Sequence, residues 1–223
     1  DFAVTGYLVL NNLIMFDRST ESWWVQLTGD SIKGDRSGSK LKKIPAIQTT
    51  WGLWKEMYPD TLILDENLGF QFDPYENYYS SGWTAGGRNN IDDRMYKKDY
   101  VLGVIVGDAT KAYPFTVMGD NPIVNDSLGS EEIVVTFDKT TKTSGGAFNR
   151  KIEGDMLTFV YNQNGNSSII AMSDVETGSK WNIFTGESTS GPMKGKRLQA
   201  MEYNVSFWFA WADWHPSSAI FLE

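Results

Sequence analysis

The chain has 223 residues, a net charge of −8, 41% hydrophobic and 14% aromatic content, and no cysteine. Such a composition is globular and excludes a disordered or collagen-like chain, while the acidic balance denies it the basic face of a nucleic-acid binder. Without cysteine there are no disulfides, thiol nucleophiles or thiolate metal sites.

Residues 2–10 and 13–16 are rich in β-formers and predict two strands. Asp17 to Ser22 then reads as a tight turn. Its aspartate can accept bonds from the backbone and from the Thr20 hydroxyl. Alternation of Trp23, Val25 and Leu27 with Trp24, Gln26 and Thr28 predicts a strand ending at Thr28-Gly29. Gly34 and Gly38 bracket a second hairpin ending at Leu41. A helix follows, capped by Thr49 or Thr50, with Trp51, Trp54 and Tyr58 on one face and Pro59 after its end. A short strand over residues 61–64 closes the segment.

Residues 65–100 are acidic and tyrosine-rich, a long connection that reads as a functional loop or a surface linker. Val101–Val106 predicts a buried strand, Gly107-Asp108 a turn, and Lys111–Thr116 the return, with Pro114 placing that return on an edge or at a bulge. Glu131–Phe137, Ala147–Ile152 and Met156–Tyr161 predict further strands.

From Met172 to Phe221 the chain repeats Met15 to Leu64 at a constant offset of 157 residues, without a gap. Matched positions include Asp17/Asp174, Thr20/Thr177, Trp24/Trp181, Gly34/Gly191, Gly38/Gly195, Trp51/Trp208, Trp54/Trp211 and Pro59/Pro216. Three tryptophan pairs at matched spacing point to a duplicated unit. Asp1 falls opposite Thr158, so the second copy has an upstream half, Val101–Leu157, without a counterpart in the first. The expected organisation is residues 1–64 as the C-terminal half of a first unit, 65–100 as connection, and 101–223 as a complete second unit. The fold class is α+β and β-rich, with antiparallel strands and one short Trp-bearing helix per unit. The first copy's sheet then shares strands with the second copy, holds an upstream fragment, or takes a strand from a neighbouring molecule as a homo-oligomer.

Several stretches resemble a known family: Asn12-Leu-Ile-Met-Phe-Asp-Arg-Ser-Thr-Glu-Ser-Trp23, Thr50-Trp-Gly-Leu-Trp54 with Pro59-Asp-Thr61, Gly103 through Ala112-Tyr113-Pro114, and Val124-Asn125-Asp126. The chain resembles the prokaryotic domain-of-unknown-function family thirty-one seventy-nine. The resemblance implies an exported or surface protein, often with the domain duplicated, and no established activity. The family's Trp-His-Glu and Tyr-Cys-Pro-Leu segments are replaced here by Gly119-Asp120-Asn121-Pro122 and Thr136-Phe137-Asp138-Lys139.

Asp17 with Thr20 and Asp174 with Thr177 form acid–base pairs or, more plainly, hairpin locks. His215, the single histidine, has no partner histidine for a metal or nucleophile system; a helix-end packing role is the plainer reading. Arg18 and Gln26 become Val175 and Ile183 in the second copy, so a ligand role for them is peculiar to the first. Six of nine tryptophans are matched pairs expected in the core, leaving Trp23, Trp83 and Trp214 as candidate surface platforms, with Tyr75 near Trp83. Asp65, Glu66, Asn67, Asp73 and Glu76 offer oxygens of the kind calcium prefers, at spacings that fit no EF-hand. No other cofactor is implied. Asn125, Asn166 and Asn204 begin glycosylation sequons. No apolar run approaches the roughly 18 residues of a membrane span, and the chain, opening on Asp1, reads as a processed product. The expectation is an extracytoplasmic structural or interaction protein without catalysis; the alternative is a hydrolase or carbohydrate-binding module using the 65–100 loop.

Overall fold

A computed structural model describes residues 1–63, 75–84, 92–140, 142, 144–162 and 169–222. Strands β1 (Phe2–Val9), β2 (Asn12–Asp17), β3 (Trp23–Val25) and β4 (Ser31–Lys33) form an antiparallel sheet in that order. Leu10 and Asn11 turn β1 into β2 with φ of 45° and 57°, the pair of positive values whose twist matches the flanking strands. Helix α1 (Trp51–Met57) follows, and the Thr50 hydroxyl caps it by accepting from the Leu53 N–H at 3.3 Å.

Next come β5 (Tyr100–Val106), β6 (Ala109–Pro114), the single turn α2 (Phe115–Met118), β7 (Ile123–Leu128), β8 (Glu131–Phe137) and β9 (Gly145–Asn149). A small hairpin, β10 (Lys151–Ile152) with β11 (Asp155–Met156), leads to β12 (Phe159–Tyr161), β13 (Met172–Asp174), β14 (Lys180–Trp181) and β15 (Ser188–Ser190). The chain ends with β16 (Glu202–Phe207), α3 (Trp208–Trp214) and β17 (Ala219–Ile220). The sheets are β7-β8-β9, β12-β13-β14-β15 and β16-β5-β6-β17. In the last of these, β5 and β6 pair antiparallel, whereas β17 runs parallel to β6.

The described chain is therefore β-rich with three short helices. It divides into two compact units, Asp1–Ile44 with Phe72–Asp99 and Ser206–Ser217, and Pro45–Gln71 with Tyr100–Val205 and Ser218–Glu223. These units are discontinuous in sequence and do not follow the 1–64, 65–100, 101–223 division. In the larger unit β8 serves two cores, because side chains alternate along a strand. Ile133, Val135 and Phe137 join Leu102, Val104, Tyr113 and Ala147 on one side. Val134 joins Phe148, Phe159, Met172, Trp181 and Leu53 of α1 on the other. In the smaller unit α3 is tied by the Trp208 N–H to the Asp99 carbonyl at 2.8 Å and by Asn11 Nδ2 donating to Asp213 at 2.6 Å. Helix α1 thus lies in the unit of β12–β15, and α3 in the unit of β1–β4.

Several expectations need correction: the strand expected to reach Thr28 stops at Val25, and the return strand expected to reach Thr116 gives way to α2 at Phe115. The β1–β4 and β12–β15 strands do not share a sheet. Pro114 is not on an edge: β6 lies between β5 and β17, and the proline escapes because β17 pairs only at Lys111 and Ala112. Residues 61–63 form no strand, although Ala219–Ile220 do. The matched tryptophans are not uniformly core. Trp24, Trp181, Trp208 and Trp211 are buried, but Trp54 is half-buried and Trp51 is 50% exposed, because α1 buries Leu53 instead. Trp54 packs against Tyr58 with ring centres 4.6 Å apart and planes tilted by 42°, as Trp211 does against His215 at 4.1 Å and 40°.

Candidate functional site

The two aspartate turns are built alike. Asp17 accepts from the Thr20 N–H at 2.7 Å, the Ser19 hydroxyl at 2.9 Å, the Thr20 hydroxyl at 2.6 Å and the Trp24 indole N–H at 2.9 Å. Asp174 accepts from the Thr177 N–H at 2.6 Å and the Trp181 indole at 2.8 Å. Ser22 and Ser179, both fully buried, accept from the Arg36 and Met193 N–H groups at 2.9 and 3.0 Å. The bonds from Thr20 and Trp24 hold the Asp17 carboxyl far below the usual carboxylate range. Burial works to raise Asp174, but the bonds from Trp181 and Thr177 outweigh it and its pKa is also lowered. Carboxylates so saturated are weak bases and carry no proton to give near neutrality, so the geometry is that of a lock.

That shift has a pH signature. A depressed folded-state pKa contributes stability above the unfolded carboxylate value of about 4 and loses it as pH falls through the folded value. Denaturation midpoints should fall as pH drops below about 4. The slope should flatten in Asp17→Asn and Asp174→Asn; an unchanged slope in both variants would contradict the lock.

On the other side of the β1–β4 sheet lies a surface pocket of about 380 Å³ lined by Thr5, Tyr7, Phe16, Glu21, Trp23 and Lys33. Tyr7 and Trp23 are stacked, 5.5 Å apart with planes 21° from parallel, and the Lys33 ammonium sits 4.3 Å from the Trp23 ring centre. Register explains the gathering: Phe16 pairs with Trp23, and Trp23 with Lys33, so the three share one sheet face. Thr5 is already occupied, donating to the Ile14 carbonyl at 2.8 Å and accepting from the Tyr7 N–H. Glu21 holds φ of 50°, where Gly178 takes 71° in the corresponding turn. A side chain there is strained, and it places a carboxylate on the pocket rim. The pocket thus offers flat aromatic faces, one cation and one anion.

Arg18 lies beside this pocket, its guanidinium 5.7 Å from the Phe16 ring, whereas Gln26 bonds to Asn12 at 3.3 Å and does not line it. Tyr75 and Trp83 belong to a separate exposed aromatic group, each near Tyr78 at 6.2 and 5.6 Å. Lys98, itself buried, organises that group. Its ammonium lies 3.6 Å from the Tyr78 ring centre and donates to the Tyr78 carbonyl and the Ser81 hydroxyl, and burial lowers its pKa. Trp214 is half-buried with its indole nitrogen unpartnered.

Sequence reasoning missed a third cluster. Asp126 accepts from Lys111 at 2.6 Å and from Tyr113 at 2.8 Å. Burial raises the Tyr113 pKa, with the bond to Asp126 adding to it. The motifs that carry the resemblance hold Tyr113 and Asp126, but nothing in their spacing signals that the two would meet with Lys111. Beside Asp126, Asn125 grips a strand backbone: its Nδ2 donates to the Phe159 carbonyl at 2.7 Å and its Oδ1 accepts from the Phe159 N–H at 2.8 Å. A glycan on that nitrogen would cost the first of these bonds, and Asn204 has its Nδ2 buried without a partner. Asn166, Asp65 and Asp73 lie outside the described residues. Among the described residues no group of three or more His, Asp or Glu side chains is placed to hold a metal, and no helix is long and apolar enough to cross a membrane.

A family model described as a protein of unknown function (DUF3179) matches residues 1–221. No curated protein and no solved structure matches the chain.

Proposed function

The chain belongs to the DUF3179 family, and from that premise we propose that it is an internally duplicated, extracytoplasmic interaction protein that works by binding and not by catalysis. The observation that carries the binding reading is the Tyr7–Trp23–Lys33–Glu21 pocket, present on only one of two like frames. Where the first frame has Phe16, Glu21, Trp23 and Lys33, the second has Ser173, Gly178, Lys180 and Ser190. An aromatic, charged pocket added to one copy of a shared scaffold is a specialisation of that copy.

Duplication is supported by pairings that recur 157 residues apart. Phe2 pairs with Asp17 as Phe159 with Asp174, Met15 with Trp24 as Met172 with Trp181, and Trp24 with Ser31 as Trp181 with Ser188. Helices Trp51–Met57 and Trp208–Trp214 keep the same spacing. The absence of catalysis is supported by the two aspartates being committed to their turns. Extracytoplasmic placement rests on the family resemblance.

A second reading, carbohydrate binding through the 65–100 loop, is favoured by the exposed Tyr75, Tyr79 and Trp83. Tryptophan fluorescence titrations with hexose and N-acetylhexosamine oligosaccharides separate the two. Loss of a saturable response in Trp23→Ala assigns binding to the pocket, and loss in Trp83→Ala assigns it to the loop. No response to these sugars, or to short acidic and basic peptides, would remove the pocket as a recognition site.

A further inference from the structure

The second frame displays what covers the face that the first frame leaves open. Phe159 is 1% exposed, packed with Val134 of β8, Phe148 of β9 and Trp181, and its backbone is clamped on the free side of β12 by Asn125 of β7. Phe2, at the matching place, stands edge-on to Trp24 as Phe159 does to Trp181, yet is 53% exposed. Val4 is also exposed, where Tyr161 is partly buried against the core. Ile44 is 78% exposed, whereas Met201 is packed against the core and donates its N–H to Ala147 of β9 at 2.9 Å. Among the described residues no side chain takes the place of Asn125 on β1, whose outer edge has no neighbouring strand.

We propose that the β1 edge with Phe2, Val4 and Ile44 is a docking seat for a three-stranded antiparallel β element of the β7–β9 kind, supplied by polypeptide other than residues 1–223. An asparagine of that element would grip the Phe2 backbone as Asn125 grips Phe159. The inference rests on the duplication reading and goes beyond it. Three features set the chemistry of the occupant: open backbone donors and acceptors call for a strand-borne amide, Phe2 and Val4 call for a β-branched and an aromatic residue from adjacent strands, and Ile44 calls for a strand carbonyl beside an apolar patch. The residues the element would meet are already those of the second frame, since Phe2, Met15, Asp17 and Trp24 match Phe159, Met172, Asp174 and Trp181.

The test supplies the element. Residues 101–157 are fused ahead of Asp1, so that Leu157 precedes Asp1 as it precedes Thr158, and amide exchange is followed by mass spectrometry and NMR. The expected result is exchange at Phe2 slowed by about tenfold or more, restored to its original rate by Asn125→Ala in the added segment alone. Unchanged exchange at Phe2 in the fused protein overturns the proposal. So does slow exchange at Phe2 in the unextended chain, whether as a monomer by light scattering, meaning the face is already covered, or as a dimer, meaning a second copy covers it.

A pair of variants in the unextended chain guards against a fusion that fails to fold. Phe2→Ser should shift the thermal midpoint by no more than about 2 °C, and Phe159→Ser should lower it by about 10 °C. Equal losses would show Phe2 to be core and overturn the seat. Failure of the duplication reading is seen separately, as an acid-dependence slope that flattens in only one of Asp17→Asn and Asp174→Asn.

Discussion

Trp181→Ala is expected to destabilise the protein by about 4 kcal/mol, enough to leave the larger unit unfolded under mild denaturing conditions. The indole is fully buried among Phe159, Met172, Phe184 and Leu198, so its loss opens a cavity that rigid strands cannot close. It also removes the N–H that Asp174 accepts at 2.8 Å, leaving a buried carboxylate short of a donor. Trp24→Ala removes the same bond to Asp17, but beside a Phe2 that is half in water, so its cost should be smaller by about 1–2 kcal/mol. Chemical denaturation of both variants, followed by circular dichroism, checks the order. Equal losses would mean that the two sheets are equally covered.

The second large effect is expected at a matched pair of glycines. Gly34 and Gly191 have φ of 89° and 88°, and a Cβ there would lie 2.6 Å from the Glu21 carbonyl oxygen and 2.7 Å from the Ser179 Cα. Both contacts are with backbone, which cannot swing away. Each glycine lets its hairpin fold down onto the buried serine of the preceding aspartate turn. Alanine at either position should cost more than about 3 kcal/mol, combining an unfavourable φ with a clash. Gly38 and Gly195 share the positive φ but have nothing within 4 Å of such a Cβ, so alanine there should cost about 1 kcal/mol. If all four variants lose the same amount, close approach is not what the first pair provides.

The candidate pocket was half legible. Trp23 stood out as a tryptophan with no tryptophan 157 residues on, and Arg18 as a residue with Val175 at that offset. Tyr7, Glu21 and Lys33 carried no signal, because their meeting depends on a register shift in β1 between Val4 and Leu8 and another between Trp23 and Trp24. Such bulges are set by the whole sheet and leave little mark on composition.

What the amino-acid sequence determined by itself was the local machinery. An aspartate, a threonine three residues on and a tryptophan seven residues on close a hairpin through bonds spanning a few residues, so their spacing alone predicts the turn. The strands on either side follow from alternation, and helix α1 from its Thr50 cap, its aromatic face and the following proline. The tertiary structure alone decided which surfaces these pieces bury. Trp51 and Trp208 occupy equivalent helix positions, yet one is half in water and the other fully buried. Likewise Phe2 and Phe159 share a strand register but not a cover. Burial is not a property a residue carries: the hydrophobic effect is non-directional, and an apolar face is satisfied by whichever neighbour the chain path brings to it. Here that path sends α1 to the unit of β12–β15 and α3 to the unit of β1–β4, a choice that no residue within either helix records.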